Sequence, residues 1–250
     1  MDLGIAGRVA IVTASSSGLG RAAAAALAAE GCKLVVSARG AERLEDTAGQ
    51  LRRSGADVVA LSADVSEEET PARLVDAAVE QFGSVDIVVA NAGGPPRGRA
   101  LEVDDEAVRG AVEANLMASI RLARAALPSM RERRWGRICC ITSYTVVQPI
   151  PTLALSNLAR TGLWAWARTA AADLAGEGSG VTLNLVCPGP HATPRMLELG
   201  GSGGAPMGDP ADFGQVVAFL CSEQAAFVNG AAIVVDGGLS GSAGELGLRH

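Results

Sequence analysis

Val9 to Gly20 reads VAIVTASSSGLG, and the reading of the whole chain starts there. Val9–Thr13 is apolar and largely β-branched, which predicts a short buried strand. Ala14, Ser15, Ser16 and Ser17 form a small-residue turn; Gly18-Leu19-Gly20 follows, and RAAAAALAAEG predicts a helix closed at Gly31. Strand, tight turn and helix are the first half of a βαβ unit. The helix N-terminus offers unpaired N–H groups to a phosphate, and glycines let the phosphate and the sheet come close. A plain tight turn has the same composition. The strand before it and the helix after it favour a nucleotide.

The pattern then repeats. CKLVVSA is a second strand and AERLEDTAGQLRRSG a helix ending at Gly55. ADVVALSAD is a third strand, and SEEETPARLVDAAVEQFG a helix with Ser66 as its N-cap. VDIVVANAG is a fourth strand, with a long helical region from about Asp104 to Arg133 after it. GRICCITS, a helix over about Thr152 to Ala175, VTLNLVCPG and AAIVVDGG complete the series. Alternation of this kind predicts an α/β fold: one doubly wound Rossmann domain over residues 1–250, with a seven-stranded parallel sheet and helices on both faces.

Composition narrows the function. A content of 48% hydrophobic and 19% charged residues is that of a globular chain, and a net charge of -6 argues against a nucleic-acid partner. MDLGIAGR lacks the basic-then-apolar order of a secretory leader, and the apolar runs are too short and Ala-rich to span a membrane, so a cytoplasmic protein is expected. The five cysteines show no zinc spacing; no metal is expected.

In doubly wound sheets ligands bind where strands end at the switch point. After the second strand stands Arg39 and no acid; an arginine there suits a ribose 2′-phosphate, so NADP(H) is expected over NAD(H). A solvated surface arginine is the plain alternative. Asp64-Val65 follows the third strand, at the adenine edge or as a simple cap, and Asn91-Ala92-Gly93 follows the fourth.

These motifs, in this order and over the whole length, resemble those of the short-chain dehydrogenase/reductase family. TASSSGLG resembles its TGxxxGxG, with Ala14 for the first glycine; ANAG at 90–93 resembles NNAG, and Asp64-Val65 its DV pair. PGPHAT at 188–193 resembles PGxxxT, and VDGG at 235–238 the end of its last strand. The resemblance implies a dinucleotide held by Thr13, Ser15, Ser17, Gly18, Leu19, Gly20, Arg39, Asp64, Val65, Asn91, Ala92, Gly93, Arg160, Pro188, Gly189, His191 and Thr193. It also implies that Ser143 binds the substrate oxygen and that Asn115 helps hold a proton-relay water.

The departure lies at the catalytic centre. The family's YxxxK pair falls on Ser156 and Arg160, and no shift restores it, because Tyr144 is the only tyrosine and Lys33 the only lysine. Serine is a far weaker acid than a phenol, whose ordinary pKa is about 10. Arginine stays protonated and cannot relay a proton, although it suits a ribose, a phosphate or a carboxylate. His191 and Tyr144 are the candidate replacement acids; a packed histidine ring and a tyrosine pocket wall are the plain readings of each.

Met196 to Asp212 stands where the family carries its substrate lid, and its glycines argue against a helix, so a mobile loop over about 195–212 is expected. Trp164 and Trp166 lie on a helix that resembles the family's dimer surface, which implies a homodimer or homotetramer. VVQPIPTLAL beside Ser143 suggests a small-molecule substrate of apolar character. Three functions fit: an NADP(H)-dependent carbonyl reductase or alcohol dehydrogenase with an unusual proton donor, a cofactor-holding protein without turnover, and a non-redox dehydratase or isomerase.

Overall fold

A computed structural model describes residues 2–198 and 200–241, so Leu199, within the expected lid, lies outside the described residues. Seven strands, β1 (Val9–Thr13), β2 (Lys33–Ala38), β3 (Val58–Ser62), β4 (Ile87–Ala90), β5 (Gly136–Ile141), β6 (Val181–Pro188) and β7 (Ala232–Val235), form one parallel sheet in the order β3-β2-β1-β4-β5-β6-β7. The chain steps outward from β1 to β3 and then returns to pair β4 with β1. That reversal opens a crevice beyond the ends of β1 and β4. The register Val12↔Val36 and Val12↔Val89 sets Thr13, Ala38 and Asn91 around it.

Side chains alternate across each strand, so one sheet must fill two cores. Ala10, Val12, Leu34 and Val89 face a core closed by α1 (Gly18–Ala29), α2 (Ala41–Arg53) and α8 (Pro210–Leu220). Val9, Ile11, Val35 and Val88 face the other, closed by α3 (Thr70–Phe82), α5 (Ala118–Glu132) and α6 (Ala154–Gly176). The two remaining α-helices among the described residues are α4 (Asp105–Val112) and α7 (Pro194–Glu198). Alanines along α1 let α8 lie directly on it: a Cβ at Gly214 would sit 2.5 Å from the Ala22 carbonyl oxygen. All five cysteines are free and buried, and burial pushes the thiols of Cys32 and Cys140 up to about 12, which leaves them inert.

Four local expectations change. Ser66 does not cap α3, which begins at Thr70 with Pro71 in its first turn; the Ser66 N–H and hydroxyl donate instead to Asp64 Oδ1 at 3.0 and 2.7 Å. The long helix after β4 is broken by a π-helical turn over Glu113–Met117. The lid contains a short helix, α7, despite its glycines. Finally α8 was hidden in what reads as lid sequence: Asp209 caps Ala211 N–H at 2.8 Å and Pro210 takes the first helical turn, a start signal that a glycine-rich neighbourhood masks. Among the described residues no helix is long and apolar enough to cross a membrane.

Candidate active site

The turn after β1 is held from both sides. Thr13 Oγ1 donates to the Asn91 carbonyl at 2.7 Å and accepts the Asn91 N–H at 2.8 Å, which ties β1 to β4 across the switch point. Ser15 is fully buried; its hydroxyl hydrogen-bonds the Val12 and Ser37 carbonyls and accepts the Ser37 N–H, so it joins β1 to β2 and does not face the crevice. The α1 ladder begins with Arg21 N–H on the Ser17 carbonyl at 3.3 Å, so the N–H groups of Gly18, Leu19 and Gly20 have no acceptor within the helix. The first turn of α1 holds no acid and Ser17 makes no side-chain cap, so the positive end of the helix is uncompensated. Gly20 is required by crowding: a Cβ there would lie 2.4 Å from the Ala14 carbonyl oxygen and 2.7 Å from Asn91 Nδ2. Gly93 is the opposite case. Among the described residues no atom comes within 4 Å of where its Cβ would stand, so the chain there borders open crevice.

Ala14 keeps the backbone of the glycine it replaces, with φ of 48°. A left-handed alanine costs about 1–2 kcal/mol, against which glycine's extra unfolded-state entropy weighs about 0.5–1 kcal/mol. Ala14→Gly is therefore expected to stabilise the protein by about 0.5–1 kcal/mol, read as a melting-temperature rise of a few degrees. A fall would show that the Ala14 methyl packs usefully.

At the rim, the exposed Arg39 guanidinium lies 3.7 Å from Asp64, an open ion pair of little strength. Asp64 is held below the usual carboxylate range chiefly by the Ser66 N–H, so it shapes a turn next to Val65. On the opposite wall, Gly189 N–H donates to the Val235 carbonyl at 2.9 Å, just after Pro188 ends β6. The methyl of Thr193 lies 3.4 Å from where a Gly18 Cβ would stand, so the turn after β6 closes on the turn after β1.

The expected catalytic residues Ser143, Ser156, Arg160 and Asn115 stand just after β5, on α6 and in the π-helical turn. Ser143, buried at the end of β5, accepts the Thr145 N–H at 3.2 Å through its hydroxyl oxygen. Ser156 and Arg160 share one face of α6, one turn apart. Arg160 Nη1 donates to the carbonyl oxygen of Thr142, the neighbour of Ser143, at 2.9 Å, and burial pushes its guanidinium below the ordinary arginine range, down to about 10. Among the described residues Arg160 has no carboxylate partner, and the Ser156 hydroxyl has no hydrogen-bond partner. Asn115 is buried in the π-helical turn, and its Oδ1 lacks a donor.

His191 and Tyr144 are placed differently from the reading as acids. The His191 ring is buried; Nδ1 lies 3.0 Å from the Gly189 carbonyl oxygen, which can only accept, so Nδ1 carries the hydrogen. Its other edge faces Gly208, where a Cβ would come within 2.9 Å of Nε2, and the ring meets Phe213 edge-on at 5.2 Å. That is the packed ring of the plainer reading, with its Nε2 edge turned to Gly208. Tyr144 sits in a single 3-10 turn after β5, where burial and then Asp236 raise its phenol above its ordinary range. A raised pKa makes it a weaker acid.

The family model described as enoyl-(acyl carrier protein) reductase matches residues 13–240. The human protein "Dehydrogenase/reductase SDR family member 4" is 32% identical over 246 residues, covering 94% of this chain and 88% of that one. The chain belongs to the short-chain dehydrogenase/reductase family. Another member, cis-4-hydroxycyclohexanecarboxylate dehydrogenase of Sinomonas cyclohexanicum, is 34% identical, with 95% and 98% of the two chains covered. The solved structure of L-sorbose reductase from Gluconobacter frateurii, complexed with NADPH and L-sorbose, superposes with a TM-score of 0.88 at 33% identity, covering 95% of this chain and 98% of that one.

Within this short-chain dehydrogenase/reductase, Lys33 opens β2 at the end of the sheet away from the crevice, with its ammonium 5.8 Å from the Phe82 ring. Neither it nor Tyr144 lies on α6. Two contributors escaped the sequence. Thr142 acts through its carbonyl, which carries no side-chain signature. Gly98 pairs with the start of α6, donating its N–H to the Thr152 carbonyl at 3.0 Å and accepting from Ala154 N–H at 3.2 Å, which fixes the loop after β4 beside Ser156.

Proposed function

We propose that this chain is an NADP(H)-dependent oxidoreductase that interconverts a carbonyl and an alcohol on a small substrate, without a phenol as proton donor. The observation that carries the reading is the cradle at the switch point: three open N–H groups on an uncompensated helix end, a Gly20 position with no room for a Cβ, and Arg39 at the end of β2. These residues fit a dinucleotide. Gly18, Leu19, Gly20 and Thr193 would hold the diphosphate, Asn91 to Gly93 the adjoining ribose, and Arg39 a 2′-phosphate. The NADPH seen with L-sorbose reductase supports the same cofactor here.

When bound, NADPH supplies a hydride to the carbonyl carbon. The chain's own part is to hold the oxygen and manage its charge. Ser143 and Ser156 donate hydroxyl hydrogens to the substrate oxygen, and Arg160 stabilises the negative charge developing there. The proton comes from water, which the unpaired Asn115 Oδ1 is placed to hold. Loss of a positioned acid lowers the rate by about 10² to 10⁴. Turnover is accordingly expected to be slow. Copies associate through the α6 side that carries Trp164 and Trp166, both half-buried against the second core.

One observation favours a second reading, a cofactor-holding protein without turnover: neither a phenol nor an ammonium lies on α6. Following NADPH absorbance with a panel of ketones and aldehydes separates the two. NADPH binding with no carbonyl-dependent oxidation would overturn the oxidoreductase reading. Within the cofactor site, Arg39→Ala is expected to weaken NADPH about 10- to 100-fold, the worth of one or two charge-assisted hydrogen bonds, and to leave NADH unchanged. Equal losses for both cofactors would remove Arg39 from the phosphate site.

A further inference from the structure

Arg160 combines features that its proposed role in managing the oxygen does not use up. It is a half-buried guanidinium with one carbonyl oxygen as its hydrogen-bond acceptor and no carboxylate partner among the described residues. An arginine fork has five N–H groups, and Thr142 engages one nitrogen of the three. Side chains on a helix lean toward its N-terminus, so Arg160 leans over the turn that carries Ser156. A serine there fills little space, and its hydroxyl has no partner among the described residues. Through Thr142, the same guanidinium lies beside Ser143. The result is a partly filled fork next to the strand end that carries Ser143 and, one helical turn away, the hydroxyl of the small Ser156, which has no hydrogen-bond partner among the described residues.

We infer that the substrate carries a carboxylate close to its reacting carbon, and that Arg160 binds it in an ion pair through N–H groups that Thr142 leaves free, while Ser156 keeps its hydroxyl for the reacting oxygen. The inference rests on the proposed oxidoreductase reading. An oxo acid or hydroxy acid with an apolar body satisfies it: the carboxylate answers a half-buried charge that has no carboxylate partner among the described residues. A neutral substrate of the same shape leaves that charge without a counter-ion, which is costly inside a protein. Lysine at this position would present a point charge without the planar fork that matches a carboxylate.

The test uses two oxo acids of different spacing, benzoylformate and benzoylacetate, each beside its methyl ester, titrated calorimetrically into the protein saturated with NADP+. At least one acid is expected to bind ten times or more tighter than its ester. Arg160→Met should erase the acid-to-ester ratio, and Arg160→Lys should leave it reduced but above one. Taking the ratio within each variant removes any general weakening of the site. If NADP+ binds and every acid binds no tighter than its ester, or none binds, the carboxylate assignment is wrong while the oxidoreductase reading stands. If no nicotinamide cofactor binds at all, it is that reading which fails.

Discussion

Arg160→Met is expected to cut turnover at least about 100-fold and at the same time to raise the melting temperature. The first effect follows from removing the one charge beside Ser143 and Ser156, since a single donor aimed at a developing oxyanion is worth about 10² to 10³ in rate. The second follows from what the charge costs. Burial lowers the guanidinium from its ordinary value to about 10, so the folded protein carries the cation at a penalty. Between about pH 10 and the ordinary value the folded state binds fewer protons than the unfolded one. The penalty is therefore fully present below about pH 10 and is relieved as the pH rises past it. Methionine fills a similar volume without the charge but leaves the Thr142 carbonyl unpaired, so a net gain of about 1–2 kcal/mol remains. Thermal unfolding of both proteins checks this: the gap should be constant at neutral pH and narrow above about pH 10. A variant that melts lower would mean that Arg160 is a structural residue, and unchanged turnover would remove it from the site.

Gly20→Ala should nearly abolish cofactor binding with the fold retained. The new methyl has two close neighbours, the Ala14 carbonyl oxygen at 2.4 Å and Asn91 Nδ2 at 2.7 Å, and these already bond each other at 3.4 Å. The Asn91 amide can swing aside, but the Ala14 carbonyl is backbone, so the start of α1 must move. Overpacking of this kind costs about 1–3 kcal/mol of stability. Displacing the open N–H groups of Gly18 to Gly20 by about 1 Å is enough for a loss of the order of 100-fold at a preorganised site. Calorimetry with NADPH, alongside circular dichroism to show that the helices persist, measures both. Wild-type affinity in this variant would mean that the phosphates bind elsewhere.

Much of this was legible in the residues. The strands announce themselves because both faces are buried: a run such as Val9–Thr13 has no polar alternation to confuse it with a surface strand. That Ser156 and Arg160 stand together followed from spacing alone, since residues four apart on a helix share a face. Other features lie outside what periodicity carries. A single π turn adds one residue to a helix without changing its composition, so Glu113–Met117 looks like ordinary helix. Asp209 and Pro210 form a proper helix start, but the glycines before them suggest one continuous loop. For His191 the deciding facts are the Gly189 carbonyl and the Gly208 and Phe213 surfaces, brought together only by the tertiary fold. The Thr142 carbonyl is invisible for a different reason: every residue has one.

The central claim is that the turn from Thr13 to Gly20, with Arg39, holds a nicotinamide dinucleotide that bears a 2′-phosphate. Calorimetric titration of the purified protein with NADPH and, separately, with NADH tests it most directly. The account predicts saturable NADPH binding and NADH binding at least about tenfold weaker, the worth of one charge-assisted contact at Arg39. Equal binding of the two, or binding of neither, would contradict it.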